Sequence, residues 1–307
     1  MVDTNAKTCR FVANGVQAKI FKQLANGRQY AVKEFRERRY FVSETQNLKR
    51  VSHAPKCHDY IGCMLGQSSV PGRYQMFMEL ADADVWNKRT KRTFWDAPLT
   101  LEMFKSIATG LLKALVYIHR MNIAHMDIKP ENMLISNNKV KLIDFGYSCK
   151  GSQCDGIMSG TRNYMPPESI EYDGRGGFTP MQHLAVRPGG HAQSFFEQRG
   201  SIITFLKKHD VFGLAVSLHE LLHNRYCQQL RVTVVNLVRD KIFVLPRAKH
   251  GWAALADESR PASFNIPANY RRSDRFASVY RILDKMMHPN PTRRITAAQA
   301  LSLMERL

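Results

Sequence analysis

Acidic residues are scarce in this chain, with 26 Asp and Glu against 45 Lys and Arg over 307 residues, a formal charge of +19 and a pI near 9.9. Such an excess favours acidic surfaces as partners, whether acidic protein, nucleic acid or anionic lipid. Long apolar runs are missing too. No stretch of about 18 apolar residues offers a transmembrane helix, and Met-Val-Asp-Thr-Asn-Ala-Lys at the start lacks the apolar core of a signal peptide. The expectation is a soluble intracellular protein of cytoplasm or nucleus. Cysteine is sparse, and the six residues are scattered, which suits unpaired thiols in a reducing compartment; a disulfide between Cys149 and Cys154 is the alternative at that pair. Cys57, His58 and Cys63, with His53 nearby, have the residue types of a zinc site, but they overlap an expected strand, which favours packing over metal binding. No repeat, low-complexity tract or aromatic-interleaved module is evident. Direct nucleic-acid binding would therefore be nonspecific and weakened by salt.

Part of the positive charge is clustered. Arg36-Glu37-Arg38-Arg39, Lys88-Arg89-Thr90-Lys91-Arg92, and Arg271-Arg272 with Arg275 form three groups, of which the second matches a simple nuclear-import pattern. Runs of this kind are mostly solvated faces. A chain of this length can bury a large core.

The most informative stretch is His125-Met126-Asp127-Ile128-Lys129-Pro130-Glu131-Asn132, followed by Asp144-Phe145-Gly146. Met133 to Ile135 and Lys139 to Ile143 read as two strands joined through Ser136-Asn137-Asn138, and Asn tolerates the positive φ of a tight turn. Folding that hairpin brings Asn132 and Asp144 side by side. Phosphoryl transfer calls for an acceptor that orients and deprotonates the attacking hydroxyl, and for cations near the moving phosphoryl. Asp127 fits the first need; Lys129, Asn132 and Asp144 fit the second.

These residues resemble the protein kinase family, and the likeness extends both ways from them. Ala31-Val32-Lys33 resembles the family's strand 3 lysine, which contacts the α and β phosphates. Glu44, with Leu48 and Val51 following on one helical face, resembles the helix C glutamate that holds this lysine. Gly160 to Glu168 resembles the end of the activation segment, with Pro166-Pro167-Glu168 for the usual Ala-Pro-Glu, and Arg294 would be the buried partner of Glu168. Asp210, opening an apolar helix from Val211 to Leu222, looks like helix F. His125, Phe145 and Leu48 resemble internal spine residues, and by the same resemblance Met78, just before the hinge, would guard the back of the adenine pocket. Lys129 with Thr161 resembles the serine/threonine branch. Compact, divergent members of this kind look like those of large DNA viruses and some intracellular bacteria.

The resemblance implies an α+β bilobal kinase fold in a single domain: a small antiparallel sheet lobe with helix C over about 10–79, a hinge at 80–84, and a mainly helical lobe over 85–307. It implies ATP and Mg²⁺ as cofactors and Ser/Thr protein substrates, acidic ones included. Asp127, Lys129, Lys33 and Glu44 would be catalytic. Nucleotide contacts fall to Val12, Ala13, Gly15, Ala18, Ile20, Ala31, Lys33, Glu79, Ala81, Asp84, Leu134, Asn132 and Asp144, with Asn132 and Asp144 as metal ligands. The alternatives are a scaffold or binding protein with little catalysis and, behind it, a small-molecule kinase.

Two departures from the family pattern stand out. The phosphate-covering loop, Ala13-Asn14-Gly15-Val16-Gln17-Ala18, keeps only its central glycine, and alanine resists the positive φ that glycine allows. Met126 replaces the arginine that usually pairs with a phosphorylated residue of the activation segment, so activity should not depend on such phosphorylation. Beyond the motifs, Thr100 reads as an N-cap ahead of Phe104, Ile107, Leu111, Leu115 and Ile118, an amphipathic helix, and two helices close the chain near 276–287 and after Thr296. Residues 169–209, with six glycines and two prolines, read as a surface insertion longer than the family's usual connection.

Overall fold

The computed structural model describes residues 9–25, 27–87, 92–93, 99–154, 160–161, 164–166, 169–172, 178–180, 201–223, 276–288 and 290–307. Two compact units divide the chain, one of Met1–Val85 with Glu131–Ser148 and one of Trp86–Pro130 with Cys149–Leu307.

The first unit is built on an antiparallel sheet of β1 (Cys9–Asn14), β2 (Ala18–Ala25), β3 (Arg28–Phe35), β4 (Met64–Val70) and β5 (Arg73–Glu79), in the order β1-β2-β3-β5-β4. Successive strand residues face opposite sides, and in β3 both Val32 and Lys33 are buried. The strand is therefore covered on both faces at the lysine. Helix α1 (Arg38–Val51) has no side-chain cap at Glu37 and no acid in its first turn, so local signals do little to start it. Packing holds it instead: Phe41, Leu48 and Val51 are buried, and the Phe41 ring meets Phe35 edge-on at 5.7 Å. Glu44 lies on the same buried stripe, fully covered. A charge at such a position points to a paired or functional group.

The Met133–Ser136 and Lys139–Leu142 strands also belong to this unit and pair antiparallel, with Met133 opposite Leu142. Asn137 and Asn138 take φ of 51° and 57°, the two left-handed residues of a type I′ turn, whose twist matches that of the strands. The Ile143 N–H donates to the Asn132 carbonyl at 2.9 Å, so the hairpin base does set Asn132 beside the residue preceding Asp144.

In the second unit, α2 (Leu101–Arg120) starts where Thr100 accepts the Met103 N–H at 3.1 Å, and it buries Phe104, Ile107, Leu111, Leu115 and Ile118. Each such side chain contributes about 1.5–3 kcal/mol relative to exposure. Helix α3 (Ile202–His223) corrects the expectation that Asp210 opens a helix: it begins at Ile202 and takes in the end of the stretch read as an insertion. Lys207-Lys208-His209-Asp210 looks like a loop because it is polar, but these groups find tertiary partners. Lys207 donates to Asn122, Lys208 to the Arg294 carbonyl, and Asp210 accepts three bonds. The helix is buried on all sides from His209 to His219, as an all-round apolar surface requires. Helices α4 (Ala277–Met286) and α5 (Ala297–Glu305) follow, the latter opened by a capping box between Thr296 and Gln299. Arg294 is buried, donates to the carbonyls of His288 and Lys208 at 2.9 and 3.0 Å, and stacks over Phe212.

The cysteine expectation is overturned. Disulfides join Cys57 to Cys63 and Cys149 to Cys154, with Cα separations of 5.3 and 5.2 Å that lie inside the range such a bond needs. Short loops double back between the partners, a proximity that linear spacing does not reveal. The argument from scattered thiols to a reducing compartment therefore fails. No helix among the described residues is long and apolar enough to cross a membrane. Glu168, most of the 169–209 stretch, Lys88 to Lys91, Arg271, Arg272 and Arg275 lie outside the described residues.

Candidate active site

In the first unit, Lys33 stands at the centre of a charge cluster. Its Nζ donates to both oxygens of Glu44 at 2.7 Å and lies 3.1 Å from Asp144 Oδ1. The β-sheet register and the α1 stripe set the first contact; the hairpin sets the second. Burial opposes the charge on Lys33, but Glu44 and Asp144 outweigh it and hold the ammonium above its usual range. The Glu44 carboxyl is pushed up to about 7 by burial, with Asp144 adding to the shift and Lys33 opposing it. With both oxygens bonded to an ammonium, the ionised pair is the state this geometry fits.

The segment after Asp144 is tied to α1. Asn47 donates to the carbonyls of Phe145 and Ser148 at 3.0 and 2.9 Å, and Ser43 to that of Gly146 at 3.2 Å. Asp144 itself has φ of 65°, a conformation uncommon for a residue with a side chain. Such strain persists only where surrounding contacts enforce it. Asn132 is buried and Asp144 is one-third exposed. Their carboxamide and carboxylate oxygens are hard donors that suit an oxygen-seeking divalent cation which keeps waters and takes ligand phosphates, so one or two protein ligands suffice. Among the described residues no group of three His, Cys, Asp or Glu gathers as a metal cage.

All the nucleotide candidates fall in this unit. Val12 and Ala13 lie on β1, and Ala18 and Ile20 on β2, with Ile20 opposite Lys33. Ala31 pairs with Met78. The Glu79 carboxylate receives Lys141 at 2.6 and 2.8 Å and the Cys63 N–H at 2.8 Å, so its side chain serves the scaffold. Ala81 follows β5, and the Asp84 backbone pairs with Leu134.

The acceptor candidates fall in the second unit. Asp127, 3% exposed, accepts Lys129 Nζ on Oδ2 at 2.7 Å, and on Oδ1 both the N–H and the hydroxyl of Thr161 at 2.9 Å. Lys129 also donates to Thr161 Oγ1 at 2.8 Å, which closes a three-residue ring. The backbone beneath is set by Asp210, whose oxygens accept the N–H groups of His125 and Met126 at 2.8 Å each and the His119 ring at 3.0 Å. Burial would raise the Asp210 carboxyl, but the His119 bond and the charges of His119, His125 and His209 hold it below its usual range. Met126 has φ of 70° and is buried. Gly160, at φ 126°, lies so close to the Met126 carbonyl that a Cβ there would collide with it. The contacts of Thr161, Asn47 and Ser43 were not readable from the sequence, because each joins segments far apart along the chain.

The family model described as "Protein kinase domain" matches residues 7–180. Similar proteins include a Wee1-like protein kinase of Oryza sativa subsp. japonica, 25% identical over 92% of this chain and 43% of the relative. An interferon-induced, double-stranded RNA-activated protein kinase of Rattus norvegicus is 26% identical over 76% of this chain and 44% of its own length. The MAPK/MAK/MRK overlapping kinase of Homo sapiens is 28% identical over 55% and 42% respectively. The chain spans less than half the length of these curated relatives.

Proposed function

The chain belongs to the protein kinase domain family, and on that premise we propose that it is a serine/threonine protein kinase, moving the γ-phosphate of ATP to hydroxyls of protein substrates. Asp127 orients the substrate hydroxyl and takes its proton as the oxygen attacks phosphorus, while the bond from phosphorus to the bridging oxygen of ADP breaks. Lys129, bonded to Asp127 Oδ2, offsets charge on the moving phosphoryl. Lys33, fixed by Glu44, positions the α and β phosphates. Asn132 and Asp144 would hold Mg²⁺, whose charge offsets that of the β and γ phosphates. The remaining nucleotide contacts are those that the sequence assigns in the first unit.

The observation that carries this reading is the Asp127, Lys129 and Thr161 ring, in which a buried carboxylate keeps its hydrogen-bond acceptors oriented by two donors characteristic of the serine/threonine branch. The net charge of +19 favours acidic protein substrates over basic ones. We place the protein inside the cell, in cytoplasm or nucleus, on the ground that ATP and such substrates meet there and not on its cysteines, two pairs of which are bonded. Transfer from radiolabelled ATP to acidic and basic protein substrates, followed by phosphoamino-acid analysis, tests the proposal. Label on serine and threonine is expected; label on tyrosine alone, or only free phosphate, contradicts it.

A second reading is a binding protein that retains the fold with little catalysis. Ala13 and Ala18, where close backbone approach to phosphate favours glycine, are what favour it. Mg-ATP binding without transfer is its signature.

A further inference from the structure

The loop between β1 and β2 is short of glycine, and its one glycine is already engaged, since the Gly15 N–H donates to the Ala18 carbonyl at 2.8 Å. A phosphate-binding loop built on backbone amides loses a donor that way. Two side chains stand out instead. Arg36, just past the end of β3, grips the loop three times: its backbone N–H donates to the Gln17 carbonyl at 3.0 Å, and its guanidinium donates to Asn14 Oδ1 at 2.8 Å and to the Gly15 carbonyl at 3.5 Å. The neighbours Val16 and Gln17 then turn opposite ways. Val16 is 90% exposed, whereas Gln17 is half-buried and aimed at the charge cluster. A Cβ built on Gly146 would lie 3.3 Å from Gln17 Oε1, 3.3 Å from Asp144 Oδ1 and 3.4 Å from Glu44 Oε2, so three side chains converge on one point beside Lys33.

We propose that Gln17 is the residue through which this loop holds the terminal phosphate of a nucleoside triphosphate, and that Arg36 is the positioning residue that presents it. A carboxamide has two N–H donors and one acceptor, so it can face an ammonium with one end and a phosphate oxygen with the other. The side chain thereby replaces the amide donors that a glycine-rich loop supplies. This inference rests on the kinase reading for the identity of the ligand, but its test is a binding measurement that needs no transfer.

Affinities of the full chain for Mg²⁺ with ADP and with a nonhydrolysable ATP analogue, measured by calorimetry, separate the phosphates. Gln17→Ala should weaken the triphosphate about tenfold, the worth of a hydrogen bond to a charged group, and leave ADP within about twofold. Gln17→Glu, similar in size but only an acceptor, should weaken the triphosphate further. Arg36→Ala should lower triphosphate affinity, and the double variant should fall short of the summed losses, because both act through one loop. Val16→Ala should match the parent, and melting without nucleotide should be unchanged for Gln17→Ala. Unchanged triphosphate affinity in Gln17→Ala overturns the proposal. So does tighter binding, which would make Gln17 a plug, and equal weakening of ADP, which would place its contact elsewhere. If the parent binds the triphosphate in a Gln17-dependent way but transfers no phosphate, this inference stands and the enzymatic reading fails; if it binds neither nucleotide, both fail.

Discussion

Two loops of this protein hold candidate site residues, and they are fixed in opposite ways. The loop at His125 to Lys129 is buried through Ile128, and its first two backbone donors, the N–H groups of His125 and Met126, run to one carboxylate, Asp210, on a helix that is itself buried. The loop at Asn14 to Gln17 is exposed except at Gln17, which is half-buried, and is gripped from its flank by one arginine that also meets solvent. The first arrangement fixes backbone geometry tightly enough to sustain a positive φ at Met126. The second leaves a surface turn free to adjust around a ligand while setting where one side chain, Gln17, points. A position that serves as base needs the first kind of support; one that covers a substrate that comes and goes suits the second.

The harshest way to break this contrast is Asp210→Ala, which orphans two buried N–H groups and the His119 ring. A stability loss of about 2–5 kcal/mol is expected in denaturant unfolding, with at least about a hundredfold loss of transfer. A variant as stable as the parent would show that the buried loop holds itself.

A smaller effect sharpens the charge cluster of the first unit. Glu44 must be ionised to hold Lys33, and with its carboxyl pushed up to about 7, kcat/KM should rise with pH through that value and level off above it. Glu44→Gln should be roughly tenfold slower and lose this acid limb. The stability term has the opposite sign. Because the folded carboxyl keeps its proton better than the unfolded one near 4.5, the contribution of Glu44 to stability is full below about 4.5 and disappears as pH rises through about 7. A flat pH profile in the parent would remove Glu44 from the rate.

The smallest expected effect is none. Met126 offers no cation for a phosphorylated activation segment, so phosphatase treatment should leave the rate of transfer unchanged. Loss of activity on treatment would mean that another cation receives the phosphate.

What the sequence reveals follows from how local each signal is. The hairpin below Asn132 is legible because Asn137-Asn138 specify their own turn, and the starts of α2 and α5 because Thr100 and Thr296 cap their own helices. Lys33 and Glu44 can be paired because strand and helix C each carry a recognisable pattern around them. The start of α3 is hidden by a run of polar residues, of which Lys207, Lys208 and Asp210 find their partners on other segments, among them Asn122 and Arg294. The Cys57–Cys63 disulfide is hidden for a similar reason, since spacing alone does not show which loops fold back, whereas the Cys149–Cys154 pair stands in the sequence as an alternative to free thiols. Gln17 is hidden most completely. Its position in the loop is obvious, but its direction depends on Arg36 and on the space beside Gly146.

The central claim is that Asp127 carries the proton transfer and Asp144 the metal-assisted handling of phosphate. Transfer from radiolabelled ATP, compared among the parent, Asp127→Asn and Asp144→Ala, tests it most directly. Asp127→Asn should lose about 10²–10⁴-fold in rate while still binding Mg-ATP, and Asp144→Ala should lose transfer along with the magnesium dependence of nucleotide binding. Transfer that survives both substitutions would contradict the account.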